Sequence, residues 1–346
     1  MSLADLDEIK FAKALVNPDK NIRDATITNL RNVMSESKSV SEEQMLKLWK
    51  ALFYCMWLAD MNPVQMELAT NVAEMIKAFR KPKGALLYIQ MFFRTIVREW
   101  HHLDQYRLNK FYTLIRTMLH KAFEYIAAKK WKAEILEEFL IILESEVLVK
   151  VPNGVRYHMS DIYLSEIWNA TDGNVNTEQF LALLRPFISA LSGENDKVFH
   201  RRIVKRIFED YLEKHASHHC TSEERPQIFP NVSTESLQEV IFNSAAHEET
   251  RDGHRRVLYD LHRSYQLAMK GNVLSKPNLS AEAETTPAKK KKKTKSAPEP
   301  DPEPVAAKSA SKKRKHSVDE TPVAEAIEAS SSKKVRFGKK LAKGKG

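Results

Sequence analysis

Four groups of residues carry most of the chemical potential of this chain. His215, His218, His219 and Cys220 crowd nitrogen and sulfur ligands into one short segment, as a zinc site does. A structural zinc site needs a second ligand pair at a defined distance, and the other cysteine, Cys55, lies far off in an apolar run, so a solvated loop is the reading. Asp172-Gly173-Asn174-Val175-Asn176 sets oxygen donors at alternate positions, as a calcium loop begins. Thr177 then stands where the turn glycine belongs and Leu183 where the bidentate glutamate belongs, so the segment reads as a turn feeding a helix cap. Glu99 beside Trp100-His101-His102 has the groups for acid–base work, but a helix-surface glutamate next to a core tryptophan accounts for it more simply. Arg201, Arg202, Lys205 and Arg206 stack at helical spacing opposite Phe199, Ile203, Ile207 and Tyr211, forming a positive ridge suited to RNA phosphate. Arg251, His254, Arg255, Arg256 and Arg263 make a second candidate, with Arg255 and Arg256 as its expected RNA contacts. A solvated face is the simpler reading for both, and RNA contact the alternative, since acids such as Glu209 and Asp210 are close by.

The elements that position these groups are helices. Leu108, Phe111, Ile115, Met118, Leu119, Ala122 and Ile126 fall at intervals of three and four, lining one face of a long helix. Leu68, Val72, Met75, Ile76 and Phe79 repeat the pattern, as do Ile135, Leu136, Phe139, Leu140 and Leu143. No run of strict alternation bounded by turn dipeptides predicts a strand. Asn17-Pro18-Asp19 and Asn62-Pro63 place a capping side chain at a proline, and Ser41 with Gln44 reads as a capping box. Pro82-Lys83-Gly84 and Pro152-Asn153-Gly154 break the pattern, Thr177-Glu178 starts a helix, Ser217 to Asn231 is a longer loop, and helices follow over Thr234–Glu248 and Asp252–Lys270. Breaks about every 20 residues make helical pairs of about 40, the range of HEAT or armadillo-like arrays. The expected fold is all-α, a helical repeat array, with an irregular helical bundle as the alternative because no clean sequence repeat is visible.

Charge divides the chain. Of 55 Lys+Arg and 45 Asp+Glu, 19 bases and 9 acids follow residue 273, which leaves the preceding body neutral and puts the whole net charge of +10 in the tail. The tail, residues 274–346, has one aromatic residue, Phe337, and 7 of the 14 prolines, a composition predicting disorder; the body, residues 1–273, has ample apolar residues for a core. Two cysteines exclude a disulfide framework, no apolar stretch reaches a membrane span of roughly 18 residues, and Asp5, Asp7 and Glu8 do not suit a signal peptide. A soluble intracellular protein without membrane partners is expected. Nine glycines and no phosphate loop, nucleophile elbow or His-Glu-x-x-His predict no cofactor and no enzyme.

Lys289, Lys290, Lys291, Lys292 and Lys293 with Lys295, and Lys312, Lys313, Arg314 and Lys315, form two compact basic runs suited to an import receptor and hence to nuclear entry. Lys334-Val335-Arg336-Phe337 resembles the motif by which many proteins dock on protein phosphatase 1. In that mode an extended segment joins a sheet edge, with Val335 and Phe337 filling apolar pockets beside the modifiable Ser330-Ser331-Ser332.

Two longer blocks carry a broader likeness. Lys47-Leu48-Trp49-Lys50-Ala51-Leu52-Phe53-Tyr54-Cys55-Met56-Trp57-Leu58-Ala59-Asp60 is one. The second comprises Phe92-Phe93-Arg94-Thr95, Arg98-Glu99-Trp100, Leu103-Asp104 and Arg107-Leu108-Asn109-Lys110-Phe111-Tyr112. Together they resemble the ribosomal RNA processing protein 1 family, more weakly to about residue 270. The resemblance implies a nucleolar factor of the pre-60S particle, needed for internal-transcribed-spacer processing and large-subunit maturation. It further implies a helical repeat-like fold, pre-rRNA contact that is direct or indirect, and partners among Brix-domain and WD-repeat assembly factors. The family offers no catalytic residues to carry over. The aromatic residues of both blocks are expected to pack helix against helix and hold a rigid docking surface.

Overall fold

Several helices start in this chain where a capping oxygen or a proline can deal with the unbonded first amides. Ser41 and Gln44 form a reciprocal capping box at one start, and Asn176 and Gln179 form another. Asp196 accepts from Val198 and Phe199, and Asp19 from Asn21. Asn62 departs from expectation: Met61 is the cap residue, Asn62 already lies inside the helix, and no side chain caps it. Pro82 likewise opens a helix, and Gly84 and Gly154 lie inside first turns. A Cβ at Gly84 would meet the Phe79 ring, and one at Gly154 the Trp100 indole, so close approach explains both glycines.

The computed structural model describes residues 8–36, 40–148, 151–216 and 229–270. Among them every regular element is helical, confirming the all-α class. The elements are α1 (Glu8–Leu15), α2 (Lys20–Glu36), α3 (Glu42–Leu58), α4 (Asn62–Glu74), α5 (Pro82–Glu99), α6 (Leu108–Ala128) and α7 (Ala133–Ile142). Then come α8 (Asn153–Thr171), α9 (Thr177–Gly193), α10 (Lys197–Ile203), α11 (Asp210–Ala216), α12 (Thr234–Ala246) and α13 (Asp252–Met269). A tight turn, Met75–Ala78, extends α4, and the wider π turns Leu143–Val147 and Val204–Glu209 follow α7 and join α10 to α11.

Through most of the array packing skips one element at a time, while at its end α12 packs on both α9 and α13. One layer stacks α1 on α3, α3 on α5 and α5 on α7, and continues through the Arg185–Glu137 ion pair to α9 and then α12. The other stacks α4 on α6, α6 on α8, α8 on α10, and α11 on α13. Two layers of stacked pairs define a helical repeat array rather than an irregular bundle. The chain separates into a unit of Met1–Ala283, which holds all these helices, and a unit of Glu284–Gly346 outside the described residues.

The aromatic blocks knit the layers. Trp49 stacks on Tyr88 at 4.6 Å between ring centroids and donates its indole N–H to the Tyr88 carbonyl at 2.8 Å. Phe53 meets Phe111 at 4.6 Å, and Trp100 meets Tyr112 at 5.5 Å. Buried polar side chains satisfy carbonyls of neighbouring helices: Lys110 Nζ donates to Trp57 and Ala59, Tyr88 to Val72, Tyr163 to Leu183 and Tyr265 to Phe208. Such bonds fix each helix end against the next pair.

Candidate nucleic-acid interface

The basic ridge on α10 is held by a buried clamp. Arg156 of α8, only 2% exposed, pairs with Glu194 Oε2 at 3.0 Å and Asp196 Oδ2 at 2.6 Å, and its guanidinium lies 4.5 Å from the Phe199 ring centroid. Tyr157 donates to the same Asp196 oxygen at 2.8 Å. Burial disfavours ionisation of both acids. It is outweighed at Asp196 by Tyr157, the Phe199 and Val198 amides and Arg156, and at Glu194 by the Asp196 and Asn195 amides and Arg156, so both carboxyls sit below their ordinary range. The clamp therefore orients the start of α10 and everything along it.

Phe199, Ile203, Ile207 and Tyr211 are buried as the spacing predicts. The cations opposite them divide. Arg202 pairs with Asp161 at 3.1 Å and lies over the Tyr157 ring, and Arg206 reaches both Asp161 at 3.4 Å and Asp210 at 3.7 Å. Arg201 and Lys205 are exposed and, among the described residues, form no ion pair. Half of the ridge is thus neutralised within the protein. The second cluster divides further: Arg255 donates to the carbonyls of Thr250, Ala245, His247 and Glu248, clamping the turn between α12 and α13, which withdraws it as a phosphate contact. Arg251 donates to Asn195, His254 bonds the Ser192 carbonyl, and Arg256 and Arg263 are exposed.

Asp172 and Gly173 adopt left-handed backbone and end α8, while Asn176 caps α9, so that segment is the turn and cap expected. Glu99 bonds Arg98 at 2.9 Å and His102 at 3.3 Å beside the buried Trp100. Among the described residues no three His, Cys, Asp or Glu side chains are placed to hold a metal, and no helix is long and apolar enough to cross a membrane. The side chains of His215, His218, His219 and Cys220 lie outside the described residues, as do both basic runs of the tail and Lys334, Val335 and Phe337.

Sequence reasoning passed over a different set of cations. Arg80, Lys81 and Lys83 lie where α4 turns into α5, and Lys129, Lys130 and Lys132 where α6 turns into α7. The signal that marks them is the absence of acids: none occurs between Glu74 and Glu99, or between Glu124 and Glu134.

Fold and surface define an α-helical repeat protein with charged faces and no assembled catalytic group among the described residues. The chain matches the family model of the nucleolar protein Nop52 over residues 6–321 and belongs to that family. It is 36% identical over 215 residues to the human ribosomal RNA processing protein 1 homolog B, covering 60% of this chain and 28% of that protein. It is 30% identical to human homolog A over 60% of this chain and 47% of that protein. The Dictyostelium discoideum homolog is 26% identical over 80% of this chain and 65% of that protein. The chain thus spans less than half the length of each of the two human relatives.

Proposed function

We propose that this protein is a non-enzymatic ribosome-biogenesis factor of the nucleolus, acting as a scaffold in pre-60S particles during internal-transcribed-spacer processing and large-subunit maturation. The family match across residues 6–321 carries the reading, with relatives named for ribosomal RNA processing. The two-layer array supports it physically, since stacked pairs offer long rigid faces to several partners at once. Those partners are pre-60S assembly factors with Brix domains and WD repeats, together with pre-rRNA. The basic runs Lys289–Lys293 and Lys312–Lys315 serve an import receptor. On the body, Arg201 and Lys205 of the ridge are the surviving phosphate contacts of those read from sequence.

The test is affinity purification of tagged full-length protein and a 1–273 truncation across a salt series. Recovery of large-subunit precursors and assembly factors by both forms at moderate salt is expected. Recovery that needs the tail and disappears with salt would reduce the interaction to counterion release and remove the specific role of the body.

The Lys334-Val335-Arg336-Phe337 motif favours a second reading, an adaptor that brings protein phosphatase 1 to its cargo. Val335→Ala with Phe337→Ala should abolish phosphatase pull-down; undiminished recovery dismisses it.

A further inference from the structure

We propose that one rim of the helical array, formed by the α4–α5 and α6–α7 turns, binds the sugar–phosphate backbone of RNA through Arg80, Lys81, Lys83, Lys129, Lys130 and Lys132.

The two turns are distant in sequence and adjacent in space. Lys77, just before the first turn, pairs at 2.8 Å with Glu124, near the end of α6, while α4 packs along α6. Burial opposes ionisation of Glu124, but Lys77 and Lys121 outweigh it and hold its carboxyl down to about 2, so this pin is charged at neutral pH. The helices leaving the turns run side by side in one direction, because Gln90 and Arg94, in the second half of α5, both reach Glu146 in the π turn that follows α7. The rim thus gathers cations from two loops into one band.

Among the described residues these cations have no acidic counterpart. Lys77, Lys121, Arg31 and Arg94 nearby all hold ion pairs, whereas among the described residues Arg80, Lys81, Lys83, Lys129, Lys130 and Lys132 hold none. Lys129 lies 5.3 Å over the Tyr125 ring, and Lys130 stands on left-handed backbone with a φ of 57°. Lys81 and Lys132 occupy the cap positions of α5 and α7, and neither supplies a capping bond. A cation there faces the positive end of the helix dipole, so these lysines act against helix stability. Charges that work against local stability in this way are expected where function, rather than the fold, places them.

Phosphate fits this rim better than an acidic protein does. A protein interface needs an apolar centre that excludes water, whereas a phosphate interface is polar and strongly basic. None of the exposed large hydrophobic residues lies in these two turns, and Trp131 packs half-buried against the core. The opposite rim differs: the turns that link α3 to α4, α5 to α6 and α7 to α8 expose Leu58, Met61, Tyr106 and Val151. The inference relies on the rRNA-processing reading only for which RNA is bound; the phosphate chemistry stands without it.

The experiment compares full-length protein with the variant Arg80→Gln/Lys81→Gln/Lys83→Gln/Lys130→Gln/Lys132→Gln, using fluorescein-labelled oligouridine and anisotropy over a salt series. The tail is present in both, so its contribution cancels. Each lost single-strand phosphate contact lowers the log–log salt slope by ~0.7, so with five contacts removed the slope should fall by about 3.5 and affinity at about 0.1 M salt by at least 100-fold. A companion variant with Arg80→Lys and arginine at the four lysine positions keeps the charge and should keep the slope. An unchanged slope in the glutamine variant overturns the proposal, as does equal loss in the charge-preserving variant. Loss of copurifying proteins with RNA binding intact would make the rim a protein surface and also overturn it. Failure of the scaffold reading would show instead as absence of pre-60S recovery by the unaltered protein.

Discussion

Replacing Arg156 by methionine removes the buried guanidinium that ties α8 to the start of α10 while keeping much of its apolar contact with Phe199. Two charge-assisted bonds are lost, to Glu194 at 3.0 Å and Asp196 at 2.6 Å. At roughly 1.5–3 kcal/mol each their gross value is about 3–6 kcal/mol. Two effects reduce that sum. The Arg156 Nε has no partner and is relieved by the change. The acids also keep their backbone donors, Glu194 from Asn195 and Asp196, and Asp196 from Val198 and Phe199. A net loss of about 3 kcal/mol follows, at the lower edge of what breaking a buried pair costs. Urea unfolding gives the total, and hydrogen exchange at the Val198 and Phe199 amides shows whether the loss is local to the α10 start. A cycle with Asp196→Asn should return coupling above about 1 kcal/mol. Both carboxyls sit below their ordinary range in the folded protein, so the clamp's stabilisation is fully present above that range and is lost as pH falls from it through the lower folded values. A loss below about 1 kcal/mol, or one insensitive to acid, would refute the assignment of a charged clamp.

His158 packs against Tyr112 and bonds its carbonyl, and burial, with Arg116 and Arg202 adding, pushes its pKa down to about 4 against the opposing Tyr112 bond and Asp161 charge. The unfolded chain takes up a proton first, so stability should fall by up to about 3 kcal/mol as pH drops from 6.5 to 4, and His158→Gln should flatten that part of the profile. Lys110→Met leaves the Trp57 and Ala59 carbonyls without their ammonium donor and should cost about 2–4 kcal/mol in urea unfolding. Gly154→Ala drives a methyl into the Trp100 indole and should cost about 1–3 kcal/mol, read as a lower Tm with altered tryptophan fluorescence. Cys55 is fully buried and its thiol is pushed up to about 12, so thiol reagents should modify it only as the fold opens.

The helices were legible because their apolar faces repeat with the helical period, as Leu108 to Ile126 does along α6. Capping was legible where two side chains must cooperate, as at Ser41 and Gln44. It failed at Asn62, because proline fits either of the first helical positions and its neighbour's role depends on which is used. The layered order was hidden, since the pairs share spacing and not sequence. The ridge was half legible for a similar reason. Helical spacing places Arg202 and Arg206 on one face, but Asp161, which neutralises them, comes from α8. Arg255 looked like its neighbours in sequence, and only the fold reveals the ring of carbonyls around it.

Charge was the least legible property, and the reason is arithmetic. A body with equal numbers of bases and acids sums to nothing, yet a sum says nothing about where the charges stand. Much of the surface of the second layer is cancelled by ion pairs: across helices Arg23 with Glu67, Arg31 with Glu74, Lys77 with Glu124 and Arg116 with Glu166, and within α6 Lys121 with Glu124. Each such pair consumes one acid, and the acids left over do not lie between Glu74 and Glu99 or between Glu124 and Glu134. Where two acid-free stretches are brought together by packing, a neutral body presents a positive rim. Phosphate responds to that local field, since exposed charges beyond about 10 Å are screened at 0.1 M salt. Net charge therefore describes the charge of the tail well and the local field of the body poorly, because in the body the positions of the paired acids decide where charge remains.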